Sequence, residues 1–289
     1  MKDERVAPAK PALYVVGTPI GNLEDISLRA LRVLKEADVI ACEDTRQTQK
    51  LLTHYAIATR TISYHEHNEA ARSAELVAQM QQGASVALVT DAGMPGLSDP
   101  GYRLIAQAIE NGIPIVPVPG PSAFLAALAP SGLPTDSFQF SGFLPAKRGE
   151  RRSVLQGLKD SSTTQIFYEA PHRIVEALED IVEILGETRR VVIARELTKL
   201  HEEFLRGTAA EALRNLQQRD AIKGEFTLLV AKAELPESRA AEPPGLSIRK
   251  RVQQIISDEK LDEKAALKKA AKERGISKSE AYRQMQREK

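Results

Sequence analysis

Two segments of one build constrain this chain most. VALVTDAGMPGLSDPG (residues 86–101) and IPIVPVPGPSA (residues 113–123) each begin as a short β-branched apolar run and stop abruptly in Gly, Pro and Asp. A buried parallel strand entering a stiff, glycine-punctuated turn has this pattern. In an open α/β sheet, ligands sit outside the carboxyl ends of such strands. Two of these loops in one half of a chain point to a small-molecule cleft built mainly from backbone. Gly93, Gly96 and Gly101 let the first loop turn sharply and approach a ligand. Pro95 and Pro100 stiffen it. Apposed N–H and C=O groups there can read an adenine edge, or the amino and carboxylate groups of an amino acid. Neither loop fits GxxxxGK[ST] or GxGxxG, so a Walker phosphate loop and a Rossmann fingerprint are both unsupported.

The rest of the chain places these loops in an alternating pattern. Strands are expected at 12–17, 39–42, 60–64, 85–90 and 115–118, with helices at 27–36, 48–54, 69–82, 102–111 and 122–129 between and after them. Leu28, Leu31 and Leu34 share a helical face, and Asp25 and Ser27 can cap it. Such alternation predicts α/β with a mostly parallel sheet. A second unit starts near Phe138, with strands expected at 139–142, 165–168, 191–196 and 226–231 and helices at 151–159, 174–185 and 209–219. The expected organisation is a disordered lead-in at 1–11, an N-terminal α/β domain at 12–122, a second α/β domain at 123–234, a linker at 235–245 and a helical module at 246–289. That module shows helix-turn-helix-like patterns at 248–257, 263–274 and 279–288, with Ser277 or Ser279 capping the last.

Charge divides the same way. Residues 245–289 carry 13 Lys/Arg against 7 Asp/Glu, a net of +6, while the remainder nets −5. An acidic body with a basic tail suggests a polyanionic partner met by the tail. The single cysteine, Cys42, excludes an intramolecular disulfide and fits a reducing cytoplasm. No apolar run reaches the ~18 residues of a membrane span.

Polar clusters at strand ends are the candidates for chemistry. Glu43-Asp44-Thr45-Arg46 follows one strand, His65-Glu66-His67 another, and Asp91 a third. His65 and His67 would share a strand face. They lack a third ligand at sensible spacing, so no metal is expected. Glu169-Ala170-Pro171-His172-Arg173 and Arg195-Glu196-Leu197-Thr198 follow strands of the second unit. No Ser-His-Asp order or GxSxG elbow is present.

LYVVGTPIGNLEDISLRAL, CEDTR, YHEHNE, TDAGMPGLSDPG, PVPGPSA, SGFLP, YEAPHR, ARELTK and GEFTLLV, in that order and spacing, resemble the tetrapyrrole methylase superfamily, and within it the branch that methylates ribosomal RNA. The match spans nearly all of residues 12–233. The resemblance implies two α/β domains with an S-adenosylmethionine cleft between them, in a homodimer. It also implies 2′-O-methylation of a cytidine in the decoding region of 16S rRNA, with that RNA met within the small ribosomal subunit. Carried over by motif, the cofactor should meet Pro19, Gly93, Met94, Leu97, Ser98, Ser122 and Ala123 from the first domain. From the second it should meet Ala170, Leu197, Glu225 and Phe226. Tetrapyrrole-modifying members commonly show a GDP-type triplet where this chain has Ala92-Gly93-Met94-Pro95, which disfavours a porphyrinoid substrate. A ribose hydroxyl must lose its proton on methylation, and Glu43, Asp44, His65 and Asp91 are the candidate acceptors by strand-end position. Their residue types do not choose among them. A tetrapyrrole-type small-molecule methyltransferase and a non-catalytic RNA-binding or ribosome-assembly factor are the alternatives; the basic tail disfavours the first, the cleft loops the second.

Overall fold

The computed structural model describes residues 11–233, 247–274 and 276–287. The expected linker, almost all of the lead-in, and Gly275 lie outside the described residues. The chain divides after Ala233 into two compact units.

In the first unit, β1 (Ala12–Val16), β2 (Val39–Cys42), β3 (Thr61–Ser63), β4 (Ser85–Leu88) and β5 (Ile115–Val118) form one sheet in the order β3-β2-β4-β1-β5. Every pairing in it is parallel. Tyr14, Val16, Ile40, Cys42 and Ala87 pack with α1 (Leu28–Glu36) and α2 (Thr45–His54). Leu13, Val39, Ala41, Val86 and Leu88 point the other way, to α3 (Glu69–Gln81) and α4 (Tyr102–Glu110). Successive side chains of a strand face opposite sides. Helices on both faces therefore require strands that are apolar throughout, as VIAC and ALYVV are. Ser27 Oγ accepts the Ala30 N–H and starts α1. Asp44 accepts the Arg46 N–H, so α2 begins three residues before the expected 48.

A second sheet in the same unit runs β6-β7-β10-β8-β9, from β6 (Phe138–Phe143), β7 (Thr164–Glu169), β8 (Arg190–Arg195), β9 (Glu203–Thr208) and β10 (Phe226–Val230). The parallel pairing of the first sheet does not carry over to the second. Only β6 and β7 run parallel; β10 is antiparallel to β7 and β8, and β9 to β8. The β8–β9 connection, residues 196–202, is too short for a crossover helix and closes as a hairpin. β9 itself was not expected. It is an edge strand, EFLRGT, without clean alternation because none of its residues is fully buried.

One face of this sheet, through Phe167, Ile193 and Leu228, packs on α6 (Arg148–Gly157), α7 (Ile174–Leu185) and α8 (Ala209–Gln217). The other, through Ile166, Val192 and Leu229, packs on α5 (Ala123–Leu128) and on Ile20 from the loop after β1. Through α5 and Ile20, the loops of the first sheet are held against the second.

The second unit is α9 (Ile248–Glu259), α10 (Glu263–Glu273) and α11 (Lys278–Arg287) around Ile248, Val252, Ile255, Leu267 and Ala281. Ser277 Oγ accepts the Glu280 N–H at 3.2 Å, which selects Ser277 over Ser279 as the cap of α11. Among the described residues no helix is long and apolar enough to cross a membrane.

Candidate active site

β4 and β5 flank β1, so the loops leaving their carboxyl ends converge. Thr18 donates its N–H to the Gly93 C=O at 2.9 Å, and Gly93 returns its N–H to the Thr18 C=O at 3.1 Å. Thr18 Oγ1 also donates to the Thr90 C=O at 3.0 Å. Gly17 donates to the Val118 C=O at 3.1 Å. The loop after β1 then reaches the second sheet, where Asn22 N–H donates to Thr198 Oγ1 at 3.1 Å. Both sheets therefore anchor one wall of loops.

Behind that wall lies a cavity of about 410 Å³, within the roughly 300–1,000 Å³ common for small-molecule sites. Gly93, Met94, Leu97 and Ser98 line it from the loop after β4, and Ser122 and Ala123 from the start of α5. Ala170, Leu197, Glu225 and Phe226 line it from the second sheet. Of the residues carried over by motif only Pro19 is absent from the lining; its neighbour Ile20 takes part. Gly93 and Gly96 have φ of +89° and +79°, which glycine adopts at little steric cost.

Strain gathers at the same rim. Ser98, Glu196 and Thr198 are non-glycine residues with φ of +66°, +51° and +64°. Such conformations persist where surrounding contacts over-determine them. Those contacts are visible here. Glu196 Oε1 accepts the Glu225 N–H at 2.9 Å and an Lys199 Nζ hydrogen bond at 2.9 Å. Lys199 also pairs with Glu225 Oε2 at 3.0 Å. A Cβ at Gly224 would stand 2.6 Å from Glu196 Cγ. This packing presents Leu197 and Glu225 to the cavity together. On the far side, Glu169 Oε1 accepts the N–H of Ala170 at 2.8 Å, and Arg173 pairs with that carboxylate. Burial pushes the Glu169 carboxyl above its usual range.

None of the four candidate proton acceptors is among the residues that line the cavity. The Arg46 side chain and backbone N–H hold the Asp44 carboxyl down at about 2. Asp91 Oδ1 accepts the Asp44 N–H at 3.1 Å. Glu43 Oε2 accepts from Thr90 Oγ1 at 3.0 Å. His65 lies in the turn after β3, its Nε2 3.3 Å from the Asn68 amide nitrogen and its ring 5.9 Å from that of His67. Among the described residues no group of three or more His, Cys, Asp or Glu is placed to hold a metal ion.

Asp99, Phe143 and Tyr168 line the cavity without having stood out in the sequence, and Glu169, from the strand-end cluster 169–173, lines it too. Asp99 lies one residue past Ser98 in SDPG, and a carboxylate six residues beyond the first loop glycine was the available signal. Phe143 and Tyr168 belong to an edge-to-face aromatic group with centroids 5.7 Å apart. The β6–β7 register shifts between Phe140 and Phe143, and Phe143 is exposed.

The family model for tetrapyrrole (corrin/porphyrin) methylases matches residues 12–213. A protein named ribosomal RNA small subunit methyltransferase I from Halalkalibacterium halodurans is 49% identical over 94% of this chain and 94% of its own length. One of the same name from Mesorhizobium japonicum is 48% identical over 96% and 92%. Among solved structures, a diphthine synthase superposes with a TM-score of 0.58 at 18% identity over 78% of this chain and 92% of its own. A uroporphyrin-III-C-methyltransferase from Thermus thermophilus gives 0.53 at 22% over 77% and 94%. These two speak for the fold alone. With a shared domain model over most of its length and near-half identity to full-length relatives, the chain belongs to the tetrapyrrole methylase family, among its ribosomal RNA small subunit methyltransferase I members.

Proposed function

We propose that this chain transfers the methyl group of S-adenosylmethionine to the 2′-oxygen of a cytidine ribose in the decoding region of 16S rRNA, acting as a cytoplasmic homodimer. The coarser part follows from family membership: it is an S-adenosylmethionine-dependent methyltransferase of small-subunit ribosomal RNA.

The observation that carries the finer reading is the character of the cavity. Its lining includes the carboxylates Asp99, Glu169 and Glu225 and no Lys, Arg or His. Apolar walls with acidic groups suit a sulfonium cation, and the pronounced turns at Gly93 and Gly96 expose backbone to the nucleoside and amino-acid ends. Gly93, Met94, Ser98, Ser122, Ala123, Ala170, Leu197 and Glu225 would hold it. When bound, the sulfonium supplies an electrophilic methyl group. The chain's own work is to align the acceptor oxygen with that methyl, to keep water out and to take up the hydroxyl proton. A carboxylate in the cavity wall can take up the proton that O-methylation of an alcohol releases. The +6 tail favours RNA over a small tetrapyrrole as the bearer of that alcohol.

Mass mapping of rRNA from cells with and without the protein tests this. The expected result is a 2′-O-methylcytidine in the decoding region that disappears with the protein. An unchanged ribose-methylation pattern would overturn the reading.

A further inference from the structure

The geometry points to Asp99 as the catalytic base that takes the proton from the acceptor ribose hydroxyl, an assignment that rests on the ribose-methylation reading above. Asp99 lines the cavity on the same loop as Met94, Leu97 and Ser98, and it is half-buried. Glu43, Asp44, His65 and Asp91 are not part of that lining. Asp99 is thus the lining carboxylate that shares a loop with Met94, Leu97 and Ser98.

Its surroundings are arranged to handle one proton. Glu43 follows β2, Asp91 follows β4, and Tyr168 on β7 faces it from the second sheet. Burial pushes the Asp99 carboxyl up to about 6, the charges of Glu43 and Asp91 push the same way, and a hydrogen bond with the Thr90 side chain opposes them. A base titrating just below neutral pH is mostly ionised at pH 7 yet still has useful basicity. Asp44, held at about 2 by Arg46, is a far weaker acceptor.

The Thr90 hydroxyl serves two carboxylates, Glu43 and Asp99. A hydroxyl has one proton to donate and lone pairs to accept. Thr90 Oγ1 donates to Glu43 at 3.0 Å. In that state its lone pair can accept a hydrogen bond from a protonated Asp99. Rotated, the same hydroxyl donates to an ionised Asp99.

The step balances. As the ribose oxygen bonds to the methyl carbon, the carbon–sulfur bond breaks and its electron pair stays on sulfur. The hydroxyl proton passes to Asp99 and then to solvent.

The test uses the full-length protein with small-subunit rRNA as substrate. Asp99→Asn should lower kcat about 10²–10⁴-fold. Donor affinity by calorimetry should fall far less than kcat. The native kcat/KM should fall below an apparent pKa near 6, as Asp99 protonates. Thr90→Val removes a hydrogen bond to the ionised form and should move that limb to higher pH. Glu43→Gln removes a like charge and should move it to lower pH. A second readout needs no turnover. An ionised group whose folded value exceeds its unfolded ~3.9 weakens the fold as pH rises from about 4 to about 6. Asp99→Asn should therefore melt at or above the native temperature at pH 8, whereas a scaffolding role predicts a lower one.

Near-native kcat in a folded Asp99→Asn protein, or an acid limb that neither Thr90→Val nor Glu43→Gln moves, would overturn the assignment. A native protein that methylates no ribose would instead overturn the function it rests on.

Discussion

Gly17 and Gly120 approach so closely that a Cβ on either would stand 2.7 Å from the other's Cα. The contact joins the ends of β1 and β5 and seats both loops beside the cavity. The Gly17 position is also 2.7 Å from Met94 Sδ, so one methyl group would press on the β4 loop as well. Gly120→Ala has only backbone to push against and should cost about 1–3 kcal/mol through overpacking. Denaturant unfolding should show that loss, and calorimetry should show weakened donor binding. Native stability in Gly120→Ala would mean that the loops yield freely.

Gly93 tests the cavity differently. A Cβ there would meet Ile20 Cγ2 and the Pro121 C=O at 3.7 Å, which is ordinary contact, so space is not the obstacle. Its φ of +89° is, because a β-branched residue is a genuine outlier there. Gly93→Val should stay folded, through re-aiming of the loop, and lose donor affinity by at least about tenfold, a ~1.4 kcal/mol change. A folded variant with unchanged affinity in calorimetric titration would place the donor elsewhere.

Away from the cavity, Asp180 is 1% exposed and accepts from Arg151 Nε at 2.7 Å, Arg148 Nε at 3.2 Å and Arg152 Nη1 at 3.1 Å. Burial alone would raise its pKa, but the three arginines outweigh it and the net shift is downward. A lowered folded value means stability that is present above the unfolded ~3.9 and lost as pH falls below it. Asp180→Asn leaves buried Arg151 with only the exposed Glu176 carboxylate, at 3.3 Å, and should cost up to about 3–5 kcal/mol at pH 7. Below pH 3 the gap to native should narrow, which denaturant melts at the two pH values would show. An equal gap at both would assign the loss to packing.

These sites differ in how far the sequence reveals them. ALYVV, VIAC and SVAL read as parallel strands because helices bury both of their faces, and apolar continuity survives in a linear pattern. The loop after β4 announces itself through Gly93, Pro95 and Gly96, whose backbone needs are visible as residue types. β9 does not: EFLRGT is an edge strand that shows neither alternation nor an apolar run. The antiparallel second sheet depends on β10 inserting between β7 and β8, a long-range pairing no local pattern encodes. Asp99 was passed over for the same reason. Strand-end carboxylates such as Glu43 and Asp91 are conspicuous, but which one faces a cavity depends on the second sheet packing against the first.

His65 and His67 set up a negative expectation. Their rings meet edge to face at 5.9 Å, and Asn68 takes one His65 nitrogen. Activity should survive excess EDTA. Loss in EDTA that a divalent ion restores would make the pair ligands.

The basic tail allows the sharpest separation of roles. Residues 234–289 form a compact unit of their own, with an apolar core of Ile248, Val252, Ile255 and Leu267. Its cations are largely on the surface, and Tyr282 is its only aromatic residue. Base stacking is then a minor contribution and phosphate contact should dominate. Some charge is already paired internally: Arg251 with Glu273 at 3.0 Å, and Lys269 with Glu259. Truncation at Leu235 removes this unit and leaves both sheets and the cavity lining intact. An RNA-docking tail predicts native donor affinity and native melting for the truncated protein. It also predicts sharply weaker rRNA binding and a shallower dependence of log affinity on log salt, because fewer counterions are released. A tail that serves assembly predicts lost dimerisation or lower stability instead. If a well-folded truncated protein keeps both its RNA affinity and its salt slope, recognition of the substrate rests on the cavity rim alone.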